Sequence, residues 1–393
     1  MGASTCLCRW ELWPASTATK ALWRCDRLWY ADCRILGVVV ESGAIPYVFA
    51  FGTAAVTVWL VTPGVRYLAL RVGLTDRPNE RKLHTVPVPR IGGVSIFCGY
   101  LYSLLMVWGA GWFGVLSPAK EYEVWGVTIG GLVFFMIGLA DDLFDLPALG
   151  RLLAQLIAAG AAWRVGVRIE FIALPFVGLV SFPPALSLPI TAIWLAGTAN
   201  AINWIDGLDG LAAGVSAIAA AAILIASLFA QRPEAALIAA ALAGGCLGFL
   251  RYNFKLRESA DIFMGDGGAY CLGFTLAGVS TIGLTKSTAV AAVVLPYLIL
   301  AVPILDGCNV ILQRVRQGKS PFHPDRGHLH HRLLQAGLSK RGTVLFIYTL
   351  TLWVGALALA FSGMPAGGTY AAISTGLLGW ALWQLWGRRG DRP

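Results

Sequence analysis

The stretch "NAINWIDGLDGLAAGVSAIAAAAILIASLFA" runs from Asn200 to Ala230. From Leu211 onward it carries no charged side chain and is long enough to cross the ~30 Å hydrocarbon core of a bilayer. Its first part sets two amides, Asn200 and Asn203, and two carboxylates, Asp206 and Asp209, at the edge of that span. A polar island joined to an apolar run recurs along the chain, and this repetition decides the fold.

The composition agrees. The 393 residues are 57% hydrophobic and only 13% charged, with a mean hydropathy of +0.69. A soluble domain is about 25% charged. Lipid admits only helices or a closed barrel, and barrel strands would alternate apolar and polar residues, which these runs do not. The expectation is an all-α polytopic integral membrane protein. Eleven spans are read, near 46–70, 91–113, 124–140, 151–166, 186–199, 211–230, 235–250, 268–284, 287–311, 343–362 and 366–386. They form one membrane domain over residues 44–386, followed by a tail at 387–393.

The formal charge of +9 does not point to nucleic acid, because the Lys and Arg residues lie mostly in short loops. If the loop 71–90 is cytoplasmic, the loops on its side and the tail carry 19 Lys and Arg, and the opposite loops carry 5. The asymmetry places the first set inside. Residues 1–43 break the rule, being rich in Trp and Cys with Arg9, Lys20, Arg24, Arg27 and Arg34. They lack a signal-peptide core. The preferred reading is that this extension is not native and that translation starts near Leu36–Val40. Cys98, Cys246, Cys271 and Cys308 sit within apolar spans, and the other four cysteines lack zinc-like spacing.

With this orientation, five polar islands fall on the cytoplasmic face: Asp76–Gly93, Asp141–Asp145, Asn200–Gly214, Phe263–Ala269 and His323–Leu334. Asp206 and Asp209 are three apart, so a helical turn would put them on one side. Each Asp alone fits helix capping or interfacial solvation. Together, ionisable groups at membrane depth point to function. Several carboxylates with basic groups and the glycines Gly207, Gly210, Gly265, Gly267 and Gly268 suit Mg²⁺ and phosphate: Mg²⁺ takes oxygen ligands, and glycine turns admit phosphate oxygens to backbone N–H groups.

The last island holds four of the five histidines: His323, His328, His330 and His331. Zinc would want partners at zinc spacing, which are missing nearby. A solvated basic loop is the plain alternative. The favoured reading is that these imidazoles and Arg332 bind a phosphorylated substrate or place protons.

Five motifs in order, "RKLHTVPVPRIGG", "GLADDLFDL", "NAINWIDGLDGLAAG", "IFMGDGG" and "HLHHRLL", resemble the polyprenyl-phosphate N-acetylhexosamine-1-phosphate transferases. These form the glycosyltransferase 4 family, and the likeness is to its WecA/TagO branch, related to MraY. It covers roughly residues 60–335. The resemblance implies transfer of N-acetylglucosamine-1-phosphate, or a related HexNAc-1-phosphate, from a UDP-sugar to undecaprenyl phosphate, with release of UMP. It implies a Mg²⁺ cofactor, with Mn²⁺ as a substitute, and a bacterial inner (plasma) membrane enzyme whose site faces the cytoplasm. A homodimer is left open.

Residue roles are also implied by the resemblance. Asp266 matches a Mg²⁺-ligating Asp, and Asn203 is grouped with it. Asp141 and Asp142 match a pair that acts either as a base toward the lipid phosphate or by positioning and charge management. Asp206 and Asp209 match positions near the nucleotide and join the catalytic set with His328, His330 and His331. Lys82, Asn200, Asn203, Phe263 and Arg332 are the substrate-binding candidates, with Phe263 beside the uracil and Lys82 at the phosphates. Asn253 is left unassigned, because the segment that follows it is longer than the family's usual form. The order His-Leu-His-His-Arg, with Arg90 in "PVPRIGG", favours UDP-GlcNAc over the UDP-MurNAc-pentapeptide of MraY-type enzymes. An ion-coupled transporter is the reading from another class, since such carriers also hold carboxylates at membrane depth, though near the midplane.

Overall fold

A computed structural model describes residues 43–76, 87–174, 178–255, 259–283, 297–320 and 327–390. The extension 1–42, Lys82, His323 and the tail end at 391–393 lie outside the described residues. Twelve helices are described: α1 (Ile45–Val72), α2 (Gly93–Gly109), α3 (Pro118–Phe144), α4 (Ala148–Arg164), α5 (Pro184–Ile205), α6 (Leu211–Phe229), α7 (Pro233–Asn253), α8 (Gly265–Gly283), α9 (Ala301–Arg316), α10 (Leu329–Gln335), α11 (Lys340–Phe361) and α12 (Gly367–Gly390).

Prolines open α1, α3, α5 and α7 in their first turns, where a missing N–H costs nothing. Six described helices are long and apolar enough to cross a membrane: α1, α3, α5, α6, α7 and α11. A helix lies in each of the eleven expected stretches, although part of 287–311 lies outside the described residues. The bounds move by several residues: α3 begins at Pro118 rather than 124 and α5 reaches Ile205 rather than 199.

The helical class stands, with two short ribbons added between helices. Thr75–Asp76 pairs antiparallel with Val88–Pro89, and Phe171–Leu174 pairs antiparallel with Gly178–Ser181. Both ribbons lie between helices, where extended loop backbone finds its own hydrogen bonds. One expectation is corrected: Asp206 and Asp209 do not share a helical turn. Residues 206–210 form a turn between α5 and α6. Helix α5 ends at Ile205, where Asp206 leaves helical backbone with ψ of 46°, and Gly210, with a left-handed φ of 80°, opens α6.

Helices α6, α7 and α8 form the centre, and their buried residues are mostly Ala and Gly with a few large side chains. Around them, α1 packs on α7, α3 and α5 pack on α8, and α11 packs on α6. Small residues suit an interior without a water-driven hydrophobic force, because they let backbones approach closely. At the end of the bundle away from the polar islands, Lys120 Nζ of α3 lies 3.0 Å from Glu234 Oε2 of α7, and Glu234 is 1% exposed.

The contact that positions the site is between α3 and α8. A Cβ on Gly138 would lie 2.4 Å from the carbonyl oxygen of Asp266 and 2.6 Å from Gly267 Cα. The obstacle is backbone, so it cannot move aside cheaply. Gly138→Ala is expected to destabilise the protein by about 1–3 kcal/mol, the usual cost of overpacking. Gly197→Ala on α5 meets nothing within 4 Å and serves as a control, neutral or slightly stabilising. Thermal unfolding in detergent checks both, and equal midpoints for the two variants would contradict the close approach.

Candidate active site

The polar ends of the helices meet at one end of the bundle. Two distant segments are joined there by backbone. Phe263 N donates to Pro89 O (2.7 Å), Gly92 N to Phe263 O (2.9 Å) and Gly93 N to Met264 O (2.8 Å). These bonds bring "PRIGG" against "IFMGD" and set Arg90 beside the start of α8. Above them lies a cavity of about 780 Å³. Its lining includes Asp76, Arg90, Asp142, Asp206, Asp209, Asn253, Lys255, Phe263, Asp266, His331, Lys340 and Arg341. Every one of the five sequence islands contributes at least one residue.

Asp142, Asp206, Asp209 and Asp266 line it, and Asp141 lies just behind. Asp141 and Asp142 lie in the last turn of α3 and are 5% and 7% exposed. Asp142 Oδ2 accepts from Gly267 N at 3.1 Å, and its carbonyl accepts from Arg90 Nη2. Asp141 Oδ1 accepts from Leu146 N at 2.8 Å, while Oδ2 pairs with Arg151 Nη1. The same guanidinium lies 3.6 Å from Asp266 Oδ2. Asn203 Nδ2 on α5 donates to Asp266 Oδ1 at 2.8 Å. Asp141, Asp266, Asn203 and Arg151 therefore form one cluster drawn from α3, α8, α5 and α4.

Other expected residues separate. Asn200, one turn from Asn203, bonds Gln155 Oε1 (2.6 Å) and the carbonyl of Ala196 (2.8 Å). It braces α4 against α5 and does not line the cavity. Asp209 Oδ2 accepts from Ala260 N at 3.0 Å, so one carboxylate oxygen holds the loop before α8. Asn253 ties Gly210 N and the carbonyl of Ile262, each at 2.9 Å, which makes it a staple beneath the cavity.

The histidines divide by burial. His331 lines the cavity. His328 and His330 lie behind it, 7% and 2% exposed. His330 stacks on His328 at 5.9 Å and contacts the His331 ring at 4.2 Å. Its ring lies where a Cβ on Gly207 would go, 2.4 Å from Nε2, so only glycine there lets the acidic turn rest on the imidazole. Burial lowers the His330 pKa to about 4; His331 and His328 add to the shift and Asp306 opposes it. His330 is therefore neutral at pH 7.

Sequence reading missed Arg151, Gln155 and Asp306. Arg151 was counted only as a loop charge. Its signal was the ten-residue offset from Asp141 into the first turn of α4, which brings it back over the acids. Lys255, Lys340 and Arg341 add positive charge to the cavity's lining.

The oxygen-donor set suits a hard divalent cation. Asp266 and Asp141, with the side-chain oxygen of Asn203 or a carboxylate oxygen of Asp142, could hold Mg²⁺, which takes one or two carboxylates plus substrate phosphates. A guanidinium bridging Asp141 and Asp266 marks where the acids call for positive charge. Among the described residues no three acidic, imidazole or thiol groups converge as a preformed cage.

Burial, and then the charges of Asp142 and Asp209, push the Asp206 pKa from 3.8 up to about 7. The native carboxyl thus keeps a proton that the unfolded chain releases near pH 4. Stability from this group falls as pH rises from about 4 to about 7 and is level above. Without divalent cation, Asp206→Asn is expected to gain thermal stability over the wild type at pH 8 relative to pH 5. A gap between the two proteins that does not change with pH would contradict the assignment.

Comparison with known proteins gives the family. The profile of Glycosyl transferase family 4 matches residues 124–284. The chain is 35% identical over 312 residues, 79% of its length and 84% of the relative's, to the probable undecaprenyl-phosphate N-acetylglucosaminyl 1-phosphate transferase of Bacillus subtilis (strain 168). It is 38% identical over 329 residues, 78% of this chain and 79% of the other, to the decaprenyl-phosphate N-acetylglucosaminephosphotransferase of Mycobacterium tuberculosis (strain ATCC 25618 / H37Rv). It is 30% identical over 287 residues, 72% and 75% of the two chains, to the undecaprenyl-phosphate alpha-N-acetylglucosaminyl 1-phosphate transferase of Escherichia coli (strain K12). With acids, arginines and histidine gathered at one end of a helical bundle and relatives matched over most of their length, the chain belongs to glycosyl transferase family 4.

Proposed function

We propose that the protein transfers N-acetylglucosamine-1-phosphate from UDP-GlcNAc to a polyprenyl phosphate, giving a lipid-linked diphospho-sugar and UMP. The observation that carries this reading is the single cavity in which all five islands meet, at the end of an apolar helical bundle. A lipid acceptor demands a membrane enzyme, and an anionic nucleotide sugar demands basic and cation-binding groups at a water-filled mouth. The names of the Bacillus subtilis and Escherichia coli relatives support undecaprenyl phosphate as acceptor, and that of the Mycobacterium tuberculosis relative supports a decaprenyl one.

In the reaction, an oxygen of the lipid phosphate forms a bond to the sugar-bearing phosphorus of the UDP-sugar. The bond from that phosphorus to the bridging oxygen breaks, and UMP leaves with the electron pair. Mg²⁺ held by Asp266, with Asn203 and the α3 acids, would neutralise charge on the transferring phosphoryl group. Arg90, Arg151, Lys255 and Arg341 attract the two anions. Asp142 fixes the N-terminus of α8 through Gly267. A phosphate monoester is already largely ionised at neutral pH, so positioning suffices as the task of Asp141 and Asp142. Phe263 lines the cavity, where it suits the uracil. His331 borders the reacting groups, with Arg332 beside it in sequence. Lys82, outside the described residues, is proposed for the substrate phosphates on the family resemblance alone.

The topology we favour has eleven crossings, with the cavity facing the cytoplasm of a bacterial plasma membrane. The Lys and Arg asymmetry supports that orientation. The acids lie at helix ends rather than at mid-span, an arrangement that suits surface chemistry better than carriage across the bilayer.

The test is incubation of purified protein with labelled UDP-GlcNAc, Mg²⁺ and either undecaprenyl or decaprenyl phosphate. Labelled lipid and stoichiometric UMP are expected. Asp266→Asn should lower turnover by roughly 10²–10³-fold or more, the scale for losing one charge-stabilising group, without changing the thermal midpoint. Near-normal turnover in that variant would remove Asp266 from the cation site. No lipid product with any UDP-N-acetylhexosamine would refute the activity.

A further inference from the structure

Asp306 has no place in the transfer site described so far. It lies on α9, 9% exposed, and both of its carboxylate oxygens are engaged. Oδ2 lies 3.0 Å from His328 Nδ1. Oδ1 accepts from Leu329 N, the first residue of α10, at 2.7 Å. The residue at the N-cap, His328, gives α10 no side-chain cap, so the carboxylate that caps this helix comes from a different helix.

A carboxylate only accepts, so Nδ1 of His328 carries the hydrogen. In the neutral ring, Nε2 is then the acceptor, on the edge of the ring away from Asp306. The ring is held further by Trp204 of α5, with centroids 6.2 Å apart, and by the stack on His330. His330 in turn supports the turn that bears Asp206 and Asp209, through Gly207. Next to it, His331 enters the cavity. One carboxylate therefore fixes the orientation, tautomer and placement of the histidine run.

We propose that Asp306 is a positioning residue for transfer. It locks His328 as the Nδ1–H tautomer and holds the His328–His331 run against the acidic turn. This rests on the transferase reading above. Outer partners of metal-bound histidines fix tautomer and ring direction in the same way, and losing those costs about 10–100-fold in affinity or activity.

Asp306→Asn separates the two tasks. Its amide offers an oxygen to Leu329 N or to Nδ1–H, but not to both. With the cap kept, its NH₂ faces Nδ1 and forces the other tautomer. The expected result is a kcat lower by about 10–100-fold, with KM for UDP-GlcNAc within about threefold and an unchanged thermal midpoint. In a His328→Gln background, D306N should cost nothing more, because the tautomer it controls is gone. Wild-type kcat in folded D306N would overturn the proposal, and so would an equal further loss in the H328Q background.

Should D306N not fold, His328→Asn decides. Its amide N–H sits near the Nδ1 position and keeps the bond to Asp306, but it has no Nε2. A folded H328N with reduced kcat supports the proposal, and one with wild-type kcat overturns it. Absence of transfer in the wild-type protein is a separate outcome, since it refutes the transferase reading rather than the role of Asp306.

Discussion

Crowding of negative charge at the mouth of an apolar bundle is the constraint on which the structure depends. Asp142, Asp206 and Asp266 come from three different segments and line one cavity, and Asp141 is tied to Asp266 through Arg151. Like charges repel strongly where water is scarce, and burial penalises each carboxylate in addition. The fold offsets this with a matched set of partners. Arg151 reaches two of the acids, Asn203 donates to Asp266, and the first-turn N–H of Gly267 donates to Asp142. The glycines of α3 and α8 let those partners come close enough. Weakening any of these would leave a buried charge uncompensated, which costs more than a missing surface pair.

This arrangement also suits the chemistry. A site for phosphoryl transfer must tolerate several anions at once and must bring in a cation without permanently neutralising itself. Arg151 is long and flexible, joined to the acids by its tip. The backbone pairing of residues 89–93 with 263–264 is the rigid part. The geometry of the cavity is thus set by main chain and helix ends, and its charge balance by side chains.

Much of this was legible in the sequence. Apolar runs without charges located the helices, and polar islands at their edges located the cavity, because both follow from the cost of placing polar groups in lipid. Asp142, Asp206, Asp209, Phe263, Asp266 and His331 do line one cavity. What failed was local or long-range. Spacing of three suggested a helical turn for Asp206 and Asp209, but α5 ends at Ile205 and both acids lie in the turn before α6. Asn200 shares its type with Asn203, yet one helical turn separates a brace from a donor to Asp266. Asp306 lies in an amphipathic helix more than twenty residues before its partner, and no local pattern connects them. Arg151 was hidden for the opposite reason, since a single Arg after a span reads as an orientation signal.

Helix α3 is fastened at both ends. Lys120 meets Glu234 at one end, and Asp141 meets Arg151 at the other. The 21-residue step from Lys120 to Asp141 rises about 31 Å, close to the hydrocarbon thickness of an ordinary bilayer. This helix is therefore a ruler. A thinner membrane would bare its apolar flank to water, and a thicker one would draw an ionic end into lipid. Tilt could absorb some of that mismatch, but any sliding of α3 would drag Asp141 and Asp142 away from α8. Membrane thickness would then bear on how Asp141 and Asp142 sit against α8.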